Sequence, residues 1–210
     1  EGLNGKKLGV SGFGSASHNA ALILLRKFNL EPHKDVTILV AGPTTDRLTA
    51  MGAGLIDATL LTPTEVVSAK KRGYPEIYDL LDMGVEIQGN GLATTRAYIK
   101  TNRPTVKAAL KGYVEAIHYI HNNAEGTKAI VAKFLRGADP EILRAAHQGF
   151  VKLVAKKPYP TLKGIQFLLD QVANQFPQAK KAKPEQFVDL SLLQELEKEG
   201  FFTEMAKRYP

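Results

Sequence analysis

The chain has 210 residues, of which 44% are hydrophobic, so one large domain or two small domains with a packed core are expected. Because there is no cysteine, disulfide bonds, thiolate metal sites and thiol catalysis are excluded. The net charge is +7, but the basic residues are scattered and the densest run, at 180–183, has no interleaved aromatic residue, so no nucleic-acid partner is predicted.

The N-terminal part of the chain alternates predicted strands with predicted helices. Short apolar runs predict strands at 6–11, 35–41, 56–61 and 77–81. Helices are predicted between them at 17–29, 46–53 and 64–72. Because strands alternating with helices are typical of crossover connections, the pattern predicts an α/β fold with a parallel, doubly wound sheet.

Small and polar residues follow each of the first three predicted strands, where a helix begins. In a parallel sheet these strand ends lie side by side, and the free N–H groups of the helices point into one crevice. The predicted ligand-binding residues are Gly14, Ser15, Ser17, His18, Thr44, Thr45, Thr62 and Pro63. The same groups also serve as helix caps and helix-opening residues, so a binding role and a purely structural role both stay open at this point.

Neither a catalytic set, nor a metal site, nor a cofactor site is predicted. His118 and His121 share one helix face, but two histidines without a suitably spaced carboxylate do not make a metal site. His18 lacks an evident nucleophile to activate. Asp57 lies in a predicted strand and is expected to bond with the backbone or a hinge group, because a buried carboxylate needs a partner.

The chain changes character after the fourth predicted strand. The turn-forming residues there are Gly84, Gly89, Asn90 and Gly91. A β-prone stretch at 92–99 follows them and is predicted to be extended. Residues 93–103 are therefore predicted to form a hinge or crossover between two parts of the molecule.

From residue 104 to residue 210 the apolar residues recur at helical spacing, which predicts an almost wholly helical segment. One apolar stripe contains Val106, Leu110 and Tyr113. Since the segment has no evident sheet on which such stripes could pack, they predict self-association as a homodimer.

The order of these motifs resembles that of the substrate-binding proteins of ABC importers, in the branch of nitrate, sulfonate, taurine and thiamine-precursor (NMT1/THI5-like) receptors. The matching stretches are 14–18, 50–58, Thr62 with Pro63, and 188–202. The resemblance implies a periplasmic-binding-protein-like α/β fold in which two lobes close on a ligand around a hinge.

The likeness begins partway through such a protein, so the N-terminal half of one lobe is expected to be absent. The resemblance then implies that residues 1–92 form an α/β ligand-binding lobe with one parallel sheet. Residues 93–103 would form the hinge, and the helical segment 104–210 would belong to the other lobe.

The function that this resemblance implies is non-catalytic binding of a small anionic or heteroaromatic molecule, delivered to an ABC permease in the membrane. The resemblance implies a periplasmic or extracellular location, with a lipid anchor in the full-length protein. The chain opens with Glu1 and not with Met, which is expected of a secreted protein after cleavage and equally of any trimmed chain.

Two alternatives use the same fold. One is an enzyme of the pyrimidine-precursor or menaquinone-pathway type, of which the former relies on a cysteine-rich segment that is absent here. The other is the effector domain of a transcription regulator, which requires a DNA-binding helix-turn-helix before Glu1.

Overall fold

The computed structural model describes residues 2–84, 91–135, 138–173 and 176–210. The chain divides into two compact units, Glu1–Gly84 and Val85–Pro210. A small parallel sheet lies in the first unit and many helices make up the second, so the predicted α/β fold class is confirmed. Gly89 and Asn90, which the sequence marks as turn-forming, lie outside the described residues.

A parallel three-stranded sheet forms the centre of the first unit. Its strands are β1 (Lys7–Val10), β2 (Thr37–Val40) and β3 (Ala58–Thr59), in the order β2-β1-β3. The strands alternate with helices α1 (Ala16–Lys27), α2 (Thr44–Gly52) and α3 (Pro63–Lys71). The register aligns Lys7 with Thr37 on one side of β1 and Leu8 with Ala58 on the other.

The core of the first unit lies around the middle strand. Leu8 and Val10 of β1 are 1% and 0% exposed, because β1 has a neighbouring strand on each side and α1 packs against it. They pack with Ala21, Leu25, Val36 and Ile38. Full burial of each large aliphatic side chain stabilises the unit by about 1.5–3 kcal/mol.

Two predicted elements differ in the structure. The predicted strand at 77–81 is wrong, since a 3-10 helix forms at Leu80–Met83 and Ile77 is 66% exposed. A short apolar run does not specify a strand by itself, because a strand also needs a neighbour for its backbone hydrogen bonds. The predicted extended stretch at 92–99 is also wrong in its second half, where helix α4 (Arg96–Thr101) begins. There the Thr95 hydroxyl accepts a hydrogen bond from the Tyr98 N–H at 3.1 Å, and this local cap outweighs β propensity.

The second unit is helical, as predicted. After α4 its helices are α5 (Arg103–Asn122), α6 (Ala124–Phe134), α7 (Pro140–Leu153), α8 (Leu162–Val172), α9 (Ser191–Lys198) and α10 (Phe201–Arg208). Two 3-10 helices, Pro177–Lys181 and Pro184–Phe187, lie between α8 and α9. Side-chain caps mark several starts, and the carboxylate of Asp139 accepts from the Glu141 N–H at 2.8 Å where Pro140 opens α7.

The core of the second unit joins α5 to the last two helices. Its buried members are Val114, Leu193, Leu196, Phe201, Phe202 and Met205. Leu110, from the stripe that the sequence left without a partner, packs against this core within its own unit. Large exposed apolar side chains occur elsewhere, at Ile130, Phe134 and Leu135 on the end of α6.

Within the ranges described above, no helix is both long and apolar enough to cross a bilayer.

Candidate functional site

The carboxyl ends of the three parallel strands meet at one edge of the sheet in the first unit. The chain runs from β1 to β2 on one side of β1 and then crosses to β3 on the other, so the strand order reverses beside β1. Helices α1, α2 and α3 each begin a few residues after a strand ends. In open α/β sheets ligands bind at such a switch point, where helix N-termini present free N–H groups.

The loop between β1 and α1 contains a cluster of three serine hydroxyls. Ser17 Oγ accepts from the Ser11 N–H at 2.9 Å and lies 3.0 Å from Ser11 Oγ and 3.1 Å from Ser15 Oγ. Ser15 Oγ also accepts from the His18 N–H at 3.2 Å and so caps α1. Gly14 has φ +77°, a conformation that a side chain would strain. The structure therefore brings the predicted residues Gly14, Ser15 and Ser17 together.

His18 is the fourth predicted residue of this loop. Its Nδ1 accepts from the Gly14 N–H at 3.0 Å, which assigns the proton of the neutral ring to Nε2. Burial, and after it the charge of His33, lowers the pKa of His18, so the ring is neutral at pH 7. It keeps one N–H donor, at Nε2.

Phe13 is a neighbour of this loop that the sequence analysis did not single out. Its ring meets the His18 ring edge to face at a centroid distance of 5.3 Å and lies 6.3 Å from the ring of His33. Phe13 is nevertheless 57% exposed, which leaves much of an aromatic side chain open to solvent. The signal in the sequence was an aromatic residue between two glycines in a loop, a place where no core position requires one.

The second and third strand ends are joined through a buried arginine. Arg47 of α2 is 4% exposed. Its Nη1 donates to Thr59 Oγ1 at 2.8 Å and to the Leu60 carbonyl at 2.5 Å, at the end of β3. Its Nη2 donates to Thr44 Oγ1 at 2.8 Å. Thr59 Oγ1 in turn donates to the Gly9 carbonyl of β1 at 2.9 Å, so the network reaches the middle strand.

The carboxylate of Glu65 completes this network. One of its oxygens accepts from the Thr44 hydroxyl, and the other accepts from the Thr62 N–H at 2.7 Å. Burial raises the pKa of Glu65, but the hydrogen bonds from Thr44 and Thr62 and the charge of Arg47 outweigh it, so the net pKa is lowered. Burial lowers the pKa of Arg47 against the opposing charge of Glu65, yet the guanidinium stays protonated at pH 7.

The network changes what the predicted residues can do. The Thr44 hydroxyl is engaged on both sides, so only its backbone N–H is left to meet a ligand. Thr45 Oγ1 has a single long contact, 3.4 Å to Asp46 Oδ1, and is exposed. Thr62 Oγ1 lies 3.1 Å from Thr64 Oγ1 beside Pro63, the first residue of α3. The ligand role of these residues stays a prediction.

Arg47 and Glu65 were missed in the sequence, although one signal was present. Arg47 lies in the first turn of α2, where the positive end of the helix dipole disfavours a cation. A cation at that position indicates a specific anionic partner. The charge of Arg47 is balanced by Glu65 of α3, to which it is linked through the Thr44 hydroxyl, and no local sequence pattern indicates that residue.

Asp57 bonds with the backbone, as expected, but it is exposed rather than buried. Its carboxylate accepts from the Lys7 N–H at 2.8 Å and lies 3.8 Å from Lys6 Nζ. These contacts tie the beginning of β1 to the segment before β3. Asp57 therefore acts on the sheet and not on the strand-end crevice.

The described residues contain no group of three or more His, Cys, Asp or Glu side chains that could hold a metal ion. His121 Nε2 lies 2.6 Å from the Val154 carbonyl, whereas His118 is 2% exposed and neither ring nitrogen has a hydrogen-bond partner among the described residues. The two rings thus have different environments.

An apolar pocket of about 250 Å³ also opens in the first unit. It is lined by Gly2, Leu3, Leu24, Phe28, Leu30, Ile77 and Tyr78. Leu24 and Phe28 belong to the C-terminal end of α1 and the residue after it, whereas the serine cluster lies at the beginning of that helix. The pocket is therefore separate from the edge of the sheet at which the predicted ligand-binding residues lie.

Comparison with known proteins agrees with this architecture. A sequence-family model described as NMT1/THI5 like matches residues 1–127. A solved structure of a protein from Bordetella bronchiseptica RB50 superposes with a TM-score of 0.64 at 24% sequence identity, which supports the shared fold. The superposition covers 94% of this chain and 65% of that protein, so the chain spans less than two thirds of its relative. No curated protein matches the chain.

Proposed function

The chain belongs to the NMT1/THI5-like family, which includes ABC substrate-binding proteins, and on this premise we propose that it is the solute-binding component of an ABC importer. The observation that carries the proposal is the convergence of three strand ends and three helix N-termini at one edge of the sheet. That arrangement supplies hydrogen-bond donors to a small molecule without a covalent step.

A small anionic or heteroaromatic ligand suits the groups available at this edge. The first N–H groups of an α-helix have no acceptor within the helix and favour negative charge. The Thr45 hydroxyl and His18 Nε2 add donors, and the exposed ring of Phe13 adds an aromatic surface. We place Gly14, Ser15, Ser17, His18, Thr44, Thr45, Thr62 and Pro63 around the ligand, with Thr44 acting through its backbone N–H.

The partner of the liganded protein is, on this proposal, an ABC permease, which requires a location outside the cytoplasm. A second copy of the chain is a further proposed partner, through the exposed apolar side chains of Ile130, Phe134 and Leu135. We also propose that no chemical conversion takes place. In support, the Nδ1 atom of His18 accepts from a backbone N–H, so the neutral ring has no free acceptor nitrogen with which to take a proton.

The first experiment is native mass spectrometry of the gently purified chain, followed by titration with nitrate, taurine and a small aminopyrimidine. A ligand at 100 times its Kd stabilises the folded state by about 2.7 kcal/mol, which raises Tm by roughly 5–10 °C for a chain of this size. A retained metabolite or such a shift supports the proposal. A chain that carries nothing and responds to none of the three compounds contradicts it.

Two threonines on α2 provide a matched pair of variants. Thr45→Ala removes an exposed hydroxyl beside the crevice, and the lost hydrogen bond to a charged ligand lowers affinity roughly 10- to 100-fold. Thr49→Ala removes an exposed hydroxyl whose bond is to the Thr45 carbonyl, and its affinity should equal that of the wild type. Equal loss in both variants would place the ligand elsewhere.

The enzyme alternative is tested in the same samples. Each compound is recovered after overnight incubation and examined for mass changes. A turnover that His18→Ala abolishes would replace the receptor proposal with an enzymatic one.

A further inference from the structure

We propose that Arg47 and Glu65 are positioning residues for the strand-end crevice, which hold the first turns of α2 and α3 against the end of β3. The inference rests on the proposed function, since it concerns the same crevice. Neither residue belongs to the strand-end motifs, and neither is placed against the ligand.

The contacts of Arg47 explain how a single side chain can hold the first turn of α2 against the end of β3. Its guanidinium reaches Thr59 and the Leu60 carbonyl at the end of β3 and, with its other nitrogen, the Thr44 hydroxyl at the start of α2. These are three bonds in fixed directions from one rigid plane. A lysine ammonium is a point charge and cannot reproduce them.

Glu65 carries the connection onward to the third helix. Its two carboxylate oxygens receive the Thr44 hydroxyl and the Thr62 N–H, so one rigid group spans the beginnings of α2 and α3. Removing either partner breaks the link between the two helices. It also leaves either the buried Arg47 or the half-buried Glu65 without its opposite charge, which is destabilising.

The pair is not needed for stability alone. Arg47 and Glu65 are linked through the Thr44 hydroxyl and not by a direct ion pair, and replacing such paired charges with apolar residues of similar volume can leave a protein folded. Such a replacement removes directional hydrogen bonds, and apolar contacts do not fix where the N–H groups of Thr45 and Asp46 point. A binding site needs its donors held to within roughly 0.5 Å of the productive geometry.

The test compares the wild type with the double variant Arg47→Met/Glu65→Met. We expect a folded double variant whose Tm is lower by about 3–10 °C, since the apolar pair keeps the volume but the Leu60 carbonyl and the Thr62 N–H lose their partners. Backbone ¹⁵N order parameters at residues 44–46 and at Thr62, Thr64 and Glu65 should fall from about 0.85 toward 0.6, while those of β1 stay unchanged. Affinity for whichever of nitrate, taurine and the aminopyrimidine binds the wild type should fall at least about tenfold.

A folded double variant with unchanged order parameters at these residues would overturn the inference. If the double variant does not fold, Thr44→Val answers the question, because it removes the hydroxyl that joins Arg47 to Glu65 and keeps both charges. It should loosen the same two turns, and unchanged order parameters would again contradict the inference. Thr101→Val in α4 is the control, because it removes an exposed hydroxyl with the same kind of bond, to the Ala97 carbonyl, and should change nothing in either turn.

The order parameters are measured without a ligand. Failure of the proposed function, in which no probe binds the wild type, is thereby distinguished from failure of the positioning role, in which the two turns stay rigid.

Discussion

His118 is a buried polar group whose removal should stabilise the protein. The ring is 2% exposed in the C-terminal half of α5, and neither Nδ1 nor Nε2 has a hydrogen-bond partner among the described residues. A buried polar group without a partner costs about 1–3 kcal/mol. We therefore expect His118→Leu, which is similar in volume and has no polar atom, to raise the free energy of unfolding by about 1–2 kcal/mol at pH 7.5.

The pH dependence gives a second, sharper signature. Burial, followed by the positive charge of Lys156, lowers the pKa of His118, and His121 acts in the same direction. The backbone of Lys156 acts in the opposite direction and raises the pKa, but burial and the two charges outweigh it. Because the folded-state pKa lies below that of the unfolded chain, the unfolded chain binds the extra proton as pH falls. Stability is thus full above about pH 6.5 and declines from there toward the folded-state pKa, by at most about 1.4 kcal/mol per pH unit.

Urea denaturation at pH 7.5, 6.5 and 5.5 measures both effects. The difference between His118→Leu and the wild type should widen at pH 5.5, because the variant has lost this titration. The matched control is His147→Leu. His147 Nε2 lies 2.7 Å from the Ile120 carbonyl, one of the last carbonyls of α5, so the same substitution there should destabilise by about 1 kcal/mol. Destabilisation by His118→Leu, or a constant difference across the pH series, would refute the reasoning.

Three further predictions follow from single contacts. Ser15→Ala removes the cap of α1 that accepts from the His18 N–H, so thermal unfolding should show a loss of about 1 kcal/mol, and an unchanged Tm would contradict the capping role. Gly9→Ala, in the buried middle strand, places a methyl group against the Ile56 side chain, so the overpacking should cost about 1–3 kcal/mol in urea denaturation, and an unchanged midpoint would show that Ile56 moves aside. Phe134→Glu changes a side chain that is 82% exposed, so it should lower the dimer fraction in sedimentation velocity without changing Tm, and a persistent dimer would exclude this surface.

Several features of the fold could be predicted because their causes are local. Ser15 before α1 and Pro140 at the start of α7 act on backbone groups only a few residues away, and the structure places both at helix starts. The alternation of apolar runs with helices likewise predicted the parallel sheet, since each crossover is contained in a few tens of residues.

Elements that depend on a distant neighbour were less predictable. The predicted strand at 56–61 is reduced to Ala58–Thr59, and the predicted strand at 77–81 is a 3-10 helix. Both segments contain the apolar residues on which the prediction was based. The length of a strand also depends on how much of a neighbouring strand is available for backbone hydrogen bonds. Leu110 shows the converse: its stripe had no partner in the sequence, and α9 and α10 supply one from more than 80 residues away.

The sequence by itself determined where small polar residues follow each strand, and so where the candidate crevice lies. Only the tertiary structure decided which of those residues remain available to a ligand. The Thr44 hydroxyl is occupied by Arg47 and Glu65, whereas the Thr45 hydroxyl next to it is not. The physical reason is that a buried charge needs an opposite charge or hydrogen-bond partners, and the tertiary fold determines which residues lie close enough to supply them. The folded structure brings Glu65 to the hydrogen-bond network of Arg47, and the spacing of the two residues along the chain does not indicate this.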